Sequence, residues 1–254
     1  MSLKKKIKKG QLTIGSWITI GHPTIAEIMA KAGFDWLAID MEHGPLSHSQ
    51  CQELIRVIDL CGLPALVRIG ANNPLLIKRA LDAGAHGVIV PMVNTVEQAQ
   101  AAVRAAYYPP FGKRGVGLAR AQKYGQDFHG YKKFADQETV VIIQIEDVAA
   151  MDQLEDIFHV KGVDAYIIGP YDLSGSLGFP GDFQHPKLLK IIETIHKTAR
   201  KCKLPSGFHV VSSDETKVRE KIDQGHRFIA YAVDFLFLGD SIRRGVKYLK
   251  TVKK

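Results

Sequence analysis

At 254 residues and 46% hydrophobic content, the chain suits one α/β barrel or two small domains, and it has no apolar run long enough to span a bilayer. The net charge of +8 does not point to nucleic acid, because five lysines in the first nine residues and six bases from Arg243 onward lie at ends without acids, and the balance without them is −3. Cys51, Cys61 and Cys202 stand at unrelated spacings, which argues against a disulfide framework or a cysteine metal motif and fits a reducing, cytoplasmic compartment.

The predicted elements form one domain over 1–254, with short solvated basic tails at 1–10 and 242–254. The apolar stretch after the first tail is short, holds Gly15 and runs into GHPTIAEIMAKAG, a turn and a helix, so it reads as a first strand and not a signal peptide. Strands are predicted at TIGSWI (13–18), WLAID (36–40), ALVRI (65–69), GVIVP (87–91), VVIIQI (140–145), AYIIG (165–169), SGFHV (206–210) and FIAYAV (228–233). Helical segments separate them, several ending at a glycine suited to a left-handed stop: Gly33, Gly62, Gly84 and Gly225. Near-continuous apolar strands alternating with helices predict a parallel sheet buried on both faces. Eight such units predict a (β/α)8 TIM barrel, with a doubly wound open sheet as the alternative. The connection 107–139 is long and rich in Gly, Tyr and bases, and reads as a lid or contact loop.

The chemistry of a parallel barrel sits at the C-terminal ends of its strands. There the sequence places Trp17, Asp40 with Glu42 and His43, Arg68, Gln144 with Glu146, Asp172 beyond Gly169 and Pro170, Phe208 with His209, and Asp234. Glu146 and Asp172 follow adjacent strands without Cys or His beside them, the hard oxygen pair that suits Mg²⁺ or Mn²⁺, with Co²⁺ a further candidate. Simpler roles compete. Asp172 can cap a helix, Arg68 can pair with Asp40, His43 can be a structural histidine, Trp17 reads as a pocket wall, and Glu42 and Asp82 read as structural or interfacial. Taken together, the set suits a 2-oxo acid. Glu146 and Asp172 would hold the ion that its carboxylate and keto oxygens chelate, Arg68 would hold the keto oxygen, and His43, oriented by Asp40, would move a proton at an aldol hydroxyl. Backbone N–H groups of Tyr171 and Asp172, beside the small Gly169 and Pro170, would meet the carboxylate.

These residues resemble the metal-dependent (class II) pyruvate aldolase family that includes 4-hydroxy-2-oxoheptanedioate aldolase and 2-dehydro-3-deoxyglucarate aldolase. The resemblance rests on FDWLAIDMEHGP, PALVRIGANNP with LDAGAHGVIVPMVNT, YYPPFGKRGVG, and VVIIQIED followed by GPYDLSGSLGFPG. It implies a barrel of the phosphoenolpyruvate/pyruvate superfamily that cleaves a 4-hydroxy-2-oxo acid to pyruvate and an aldehyde. It implies metal ligands Glu146 and Asp172, an oxygen clamp at Arg68, and acid–base work by His43 with Asp40. It also implies pyruvate contacts from Gln144 and the backbone at Gly169–Tyr171, and Asp82 near a subunit boundary at the acceptor end. Homo-oligomers, often hexamers built from dimers with the last helix exchanged, are implied as well. Tyr107 stands where relatives carry Arg, and Tyr171 where they carry a small residue. Partners are thus small molecules and copies of the chain, with no nucleic acid and no membrane. Alternative functions are a CoA-thioester lyase of the citrate or malyl-CoA type and a non-catalytic 2-oxo-acid-binding barrel. A Schiff-base aldolase would need a lysine at a strand end, and no predicted strand ends in one.

Overall fold

The computed structural model describes residues 1–252. Its eight strands are β1 (Thr13–Ile18), β2 (Trp36–Asp40), β3 (Ala65–Arg68), β4 (Gly87–Val90), β5 (Val140–Ile145), β6 (Ala165–Ile168), β7 (Ser206–Val210) and β8 (Phe228–Val233). All pair in parallel with their sequence neighbours, and β8 pairs with β1, so the sheet is a closed barrel and the open-sheet alternative is excluded. Around it run α2 (Pro23–Ala30), α3 (His48–Leu60), α4 (Pro74–Asp82), α5 (Val96–Ala106), α6 (Phe128–Glu138), α7 (Leu154–Phe158), α8 (Pro170–Ser176), α9 (Pro186–Cys202) and α10 (Glu215–Asp223). The four predicted glycine stops all adopt the left-handed conformation.

Alternation along each strand divides the molecule into two cores. Outward residues such as Val67, Val88, Val141, Ile143 and Ile168 pack with the helices. Inward residues Trp17, Trp36, Ala38, Leu66, Ile89, Ile142, Ile167 and Phe228 fill the barrel. Trp36 and Phe228 stack at 4.3 Å between centroids across its lower part. Gly15 makes room for this pair, since a Cβ there would lie 2.1 Å from the Trp36 ring. Each inward series then turns polar toward the strand's C-terminal end: Trp36, Ala38 and Asp40 on β2, Leu66 and Arg68 on β3, Ile142, Gln144 and Glu146 on β5. The period of two therefore lifts the chemistry-bearing residues to one rim.

Of the two predicted solvated basic ends, the first is corrected. The first is a helix, α1 (Leu3–Lys8), capped by Ser2, with Leu3 and Ile7 in the inner core, so it closes the lower end of the barrel. Lys4 is 5% exposed and donates to Asp164 Oδ2 (2.9 Å), Tyr107 Oη (2.7 Å) and the Thr139 carbonyl (2.5 Å). Burial lowers its pKa and Asp164 opposes this. Tyr107, the departure from the expected Arg, thus belongs to the floor, opposite the rim. The second tail is part of α11 (Asp234–Val252), and its last two lysines, Lys253 and Lys254, lie outside the described residues. The long connection is also more ordered than its composition suggested. It contains a 3-10 segment, Arg120–Gly125, and α6, whose Tyr131 and Ala135 pack with Tyr108.

Candidate active site at the C-terminal rim

Asp40 and Arg68 are direct cross-strand partners in the β2–β3 register. Arg68 Nε donates to Asp40 Oδ1 (2.9 Å) and Nη2 to Oδ2 (2.6 Å), a bidentate pair that is almost wholly buried. Burial alone would raise the Asp40 pKa, but the hydrogen bonds and charge of Arg68 outweigh it and hold the carboxyl below its usual range. Trp17, 1% exposed, lies beneath the guanidinium, its ring centroid 4.5 Å from Arg68 Cζ. It is a support for Arg68, not the open pocket wall expected. His209 packs edge-on to Trp17 (5.4 Å), and burial together with the Arg68 charge pushes its pKa down to about 3, so its imidazole is neutral at ordinary pH.

The expected orientation of the His43 imidazole by Asp40 is not found. Asp40 Oδ1 accepts the backbone N–H of Glu42 (3.1 Å) and of His43 (3.2 Å), so it fixes the turn that presents both side chains. The His43 ring extends toward solvent, its side chain 60% exposed, and its nearest carboxylate is Glu42, with Nε2 3.9 Å from Oε2. Glu42, expected to be structural or interfacial, belongs to the rim cluster: its Oε2 is 3.4 Å from Arg68 Nε. Burial raises its pKa to about 7 against the pull of Arg68, and the charges of Glu146, Asp40 and Asp172 add to the rise. The signal was present in the sequence, because Asp40 and Glu42 are two apart and continue one inward series.

Glu146, 2% exposed, is held by two donors: Met92 N–H reaches Oε1 at 2.7 Å and the Gln144 amide reaches Oε2. Burial raises its pKa, with the Asp172 charge adding to the effect. Met92 stands in the left-handed region (φ 53°), a conformation unusual outside glycine, and this turns its N–H to the carboxylate. Sequence reasoning gave no signal for Met92, because its role is carried by backbone conformation. Gly169 is the N-cap residue of α8, where a Cβ would lie 2.7 Å from Glu146 Oε2, so a larger residue would displace the carboxylate. Asp172 sits in the first turn of α8, exposed, and makes no side-chain capping bond. Tyr171 is 51% exposed and packs edge-on to Phe183 at 4.7 Å.

Two candidates lie apart from the cluster. Asp234 accepts Thr19 N–H, Thr19 Oγ1–H and Ile20 N–H, each at 2.7 Å, and clasps the turn after β1. Asp82 ends α4 and pairs with Arg114 (2.5 Å) in the outer layer.

The donor set at the rim fits a hard divalent cation. Four carboxylates, Asp40, Glu42, Glu146 and Asp172, share the environment of one guanidinium, and the buried oxygen Gln144 Oε1 has no hydrogen-bond partner. Among the described residues no three His, Cys, Asp or Glu side chains are spaced to hold a metal by themselves. A cation here would be held by few protein oxygens, with Glu146 and Asp172 the residues to supply them, and would leave positions for water and substrate, as Mg²⁺ commonly does.

Fold and rim together define a (β/α)8 barrel with the architecture of a barrel enzyme and an acid-rich, arginine-clamped pocket at its C-terminal face. The chain belongs to the HpcH/HpaI aldolase/citrate lyase family, whose model matches residues 13–239. A 2-keto-3-deoxy-L-rhamnonate aldolase from Escherichia coli K12 is 34% identical over 98% of this chain and 93% of its own length. A hydroxypyruvate/pyruvate aldolase from Sagittula stellata is 38% identical over 91% and 90%. A crystal structure of an HpcH/HpaI aldolase/citrate lyase family protein from Burkholderia cenocepacia J2315 superposes with a TM-score of 0.92 at 32% identity, covering 98% of both chains. The resemblance read from the sequence is borne out, and the protein is an aldolase of the class II pyruvate type.

Proposed function

We propose that this aldolase reversibly cleaves a 4-hydroxy-2-oxo acid to pyruvate and an aldehyde, with a divalent cation held by Glu146 and Asp172. The observation that carries the reading is the charge imbalance at the rim, four carboxylates against Arg68. The two curated relatives support it, since one is named for a 2-keto-3-deoxy sugar acid and the other for hydroxypyruvate and pyruvate. When bound, the cation supplies Lewis-acid polarisation of the 2-oxo group and neutralises the acids around it.

The chain's own groups do the rest. Arg68 spends Nε and one Nη2–H on Asp40, which leaves Nη1 to donate to the substrate's keto oxygen and to take up charge as the C3–C4 electron pair moves toward it. Asp40 keeps the guanidinium flat over Trp17. His43 accepts the proton of the C4 hydroxyl, directly or through water, and its exposure lets it exchange that proton with solvent. Gln144 braces Glu146. The N–H groups of Tyr171 and Asp172, in the first turn of α8 and so without intrahelical acceptors, meet the pyruvate carboxylate.

A second part of the reading concerns assembly. Phe235, Leu238, Ile242, Val246 and Leu249 are each about half exposed and repeat at intervals of three and four along α11, whose only buried residue is Asp234. We assign this stripe to another copy of the chain, making the enzyme a homo-oligomer built from dimers. No helix among the described residues is long and apolar enough to cross a membrane. The three free cysteines support a reducing, cytoplasmic setting.

The test is pyruvate release from a panel of 4-hydroxy-2-oxo acids, read with lactate dehydrogenase, with Mg²⁺, Mn²⁺ or Co²⁺ and with chelator. Release that needs the ion is expected. Release unaffected by exhaustive chelation would overturn the metal assignment, and cleavage of CoA thioesters alone would move the chain to the citrate-lyase side of its family.

A further inference from the structure

We propose that Glu42 is the positioning residue of His43: its Oε2 takes the imidazole Nε2–H and so leaves Nδ1 as the bare nitrogen that meets the substrate's C4 hydroxyl. This role rests on the aldol reading of the rim and adds to it the group that sets the base.

Asp40 has no capacity left for the ring. Its Oδ1 accepts Arg68 Nε (2.9 Å) and the backbone N–H groups of Glu42 (3.1 Å) and His43 (3.2 Å), and its Oδ2 accepts Arg68 Nη2 (2.6 Å). Four donors fill the usual capacity of one carboxylate. Glu42 is the opposite case. Its side chain is 15% exposed, and its Oε2 is closed to solvent without a hydrogen-bond partner. Arg68 Nε lies 3.4 Å from that oxygen but gives its single hydrogen to Asp40. His43 Nε2, at 3.9 Å, is the other side-chain donor in reach. A carboxylate oxygen shut off from water without a donor is costly. Rotation of the exposed His43 ring that shortens the gap by about 1 Å satisfies it. The turn that Asp40 pins therefore brings two successive side chains together as a pair.

The tautomer follows from the pairing. A neutral imidazole has one N–H, so a hydrogen bond from Nε2 to Glu42 makes Nδ1 the acceptor. In cleavage the C4 hydroxyl proton moves to Nδ1, the C4–O bond becomes the aldehyde carbonyl, and the C3–C4 electron pair passes into the enolate. The imidazolium then keeps its Nε2–H on the Glu42 carboxylate until Nδ1 returns the proton to water.

The experiment reads the ring and the rate separately. Full-length protein with isotope-labelled histidine rings is studied by nitrogen NMR with pyruvate and Mg²⁺, as wild type, as Glu42→Gln and, to assign the signals, as His43→Ala. His43 is expected in the Nε2–H form in wild type, with that N–H slow to exchange, and as a fast-exchanging mixture of both forms in Glu42→Gln. Pyruvate release from a 4-hydroxy-2-oxo acid should fall about ten- to a hundredfold in Glu42→Gln with little change in KM. The double variant Glu42→Gln/His43→Ala should be no slower than His43→Ala, because Glu42 acts through the ring. A double variant slowed by the product of the two single losses overturns the proposal, since Glu42 then acts on Arg68 or the cation directly. Ring signals that coincide in wild type and Glu42→Gln, or a wild-type ring in the Nδ1–H form, do the same. The wild-type ring form is a test even where a variant fails to fold, and it needs no turnover. A protein that releases no pyruvate yet shows the Glu42-dependent tautomer fails the aldol reading and keeps the pairing.

Discussion

The two ends of the barrel bury charge in opposite ways. At the floor, Lys4 and Asp164 are a closed pair, 2.9 Å apart and almost without exposure, with the remaining lysine protons given to Tyr107 and Thr139. At the rim, Asp40 is satisfied by Arg68, while Glu42, Glu146 and Asp172 add more negative charge than that one guanidinium can match. The floor is a balanced structural device, and breaking it leaves an uncompensated charge in a dry place. The rim stays unbalanced until something positive arrives, which is the state a binding site needs and a stable core avoids.

Substitutions separate the two ends, and the largest effect belongs to the rim. Glu146→Gln should lower the rate of pyruvate release at least about a thousandfold, while thermal unfolding in chelator stays level or shifts upward because one of several like charges is gone. A melting temperature that falls together with activity would make Glu146 structural. At the floor, Lys4→Ala should cost about 3 kcal/mol of stability, measured by urea unfolding, and leave turnover per folded molecule unchanged.

A pH series gives the next smaller effect. His226, 1% exposed and bonded to Ser206 Oγ at 2.5 Å, is held at about 3 by burial and, next, by the charges of His196, Lys221 and Arg227. Its ordinary value is 6.5, so the unfolded chain takes up the proton first. The stability this site contributes is complete above that pH and declines as pH falls toward 3, by about 1.4 kcal/mol per unit. Urea unfolding at pH 6 and pH 4.5 should differ by about 2 kcal/mol more in wild type than in His226→Gln. Equal differences would remove His226 from the acid response. The smallest effect is at Met92: Met92→Gly should relieve about 0.5–1 kcal/mol of left-handed strain and leave activity near wild type, because the N–H to Glu146 is kept. A large loss of activity would mean that the Met92 side chain meets the substrate.

What the sequence disclosed follows from period and parity. The inward series 36, 38, 40 and 142, 144, 146 place Asp40, Gln144 and Glu146 on one face as soon as the strands are known, so barrel and rim were both legible. Two kinds of information were hidden. Pairing across strands was one: Asp40 lies opposite Arg68 in register, and that neighbour takes the carboxylate in preference to His43, three residues along the chain. Backbone conformation was the other, as at Met92. The first helix was missed because four of its six residues are lysines, which mask the four-residue spacing of Leu3 and Ile7. In α6, basic residues and Gly130 similarly concealed the pattern of Tyr131 and Ala135.

The floor also has a consequence for the order of events at the ribosome. Residues 3–8 are synthesised before the whole barrel, yet their anchors are Tyr107, Thr139 and Asp164, and β1 finds its second neighbour only at residues 228–233. The segment must therefore wait, exposed, until Asp164 has been made before its lysine can leave water for a partner. A segment made ahead of the barrel thus makes one of the barrel's latest closures.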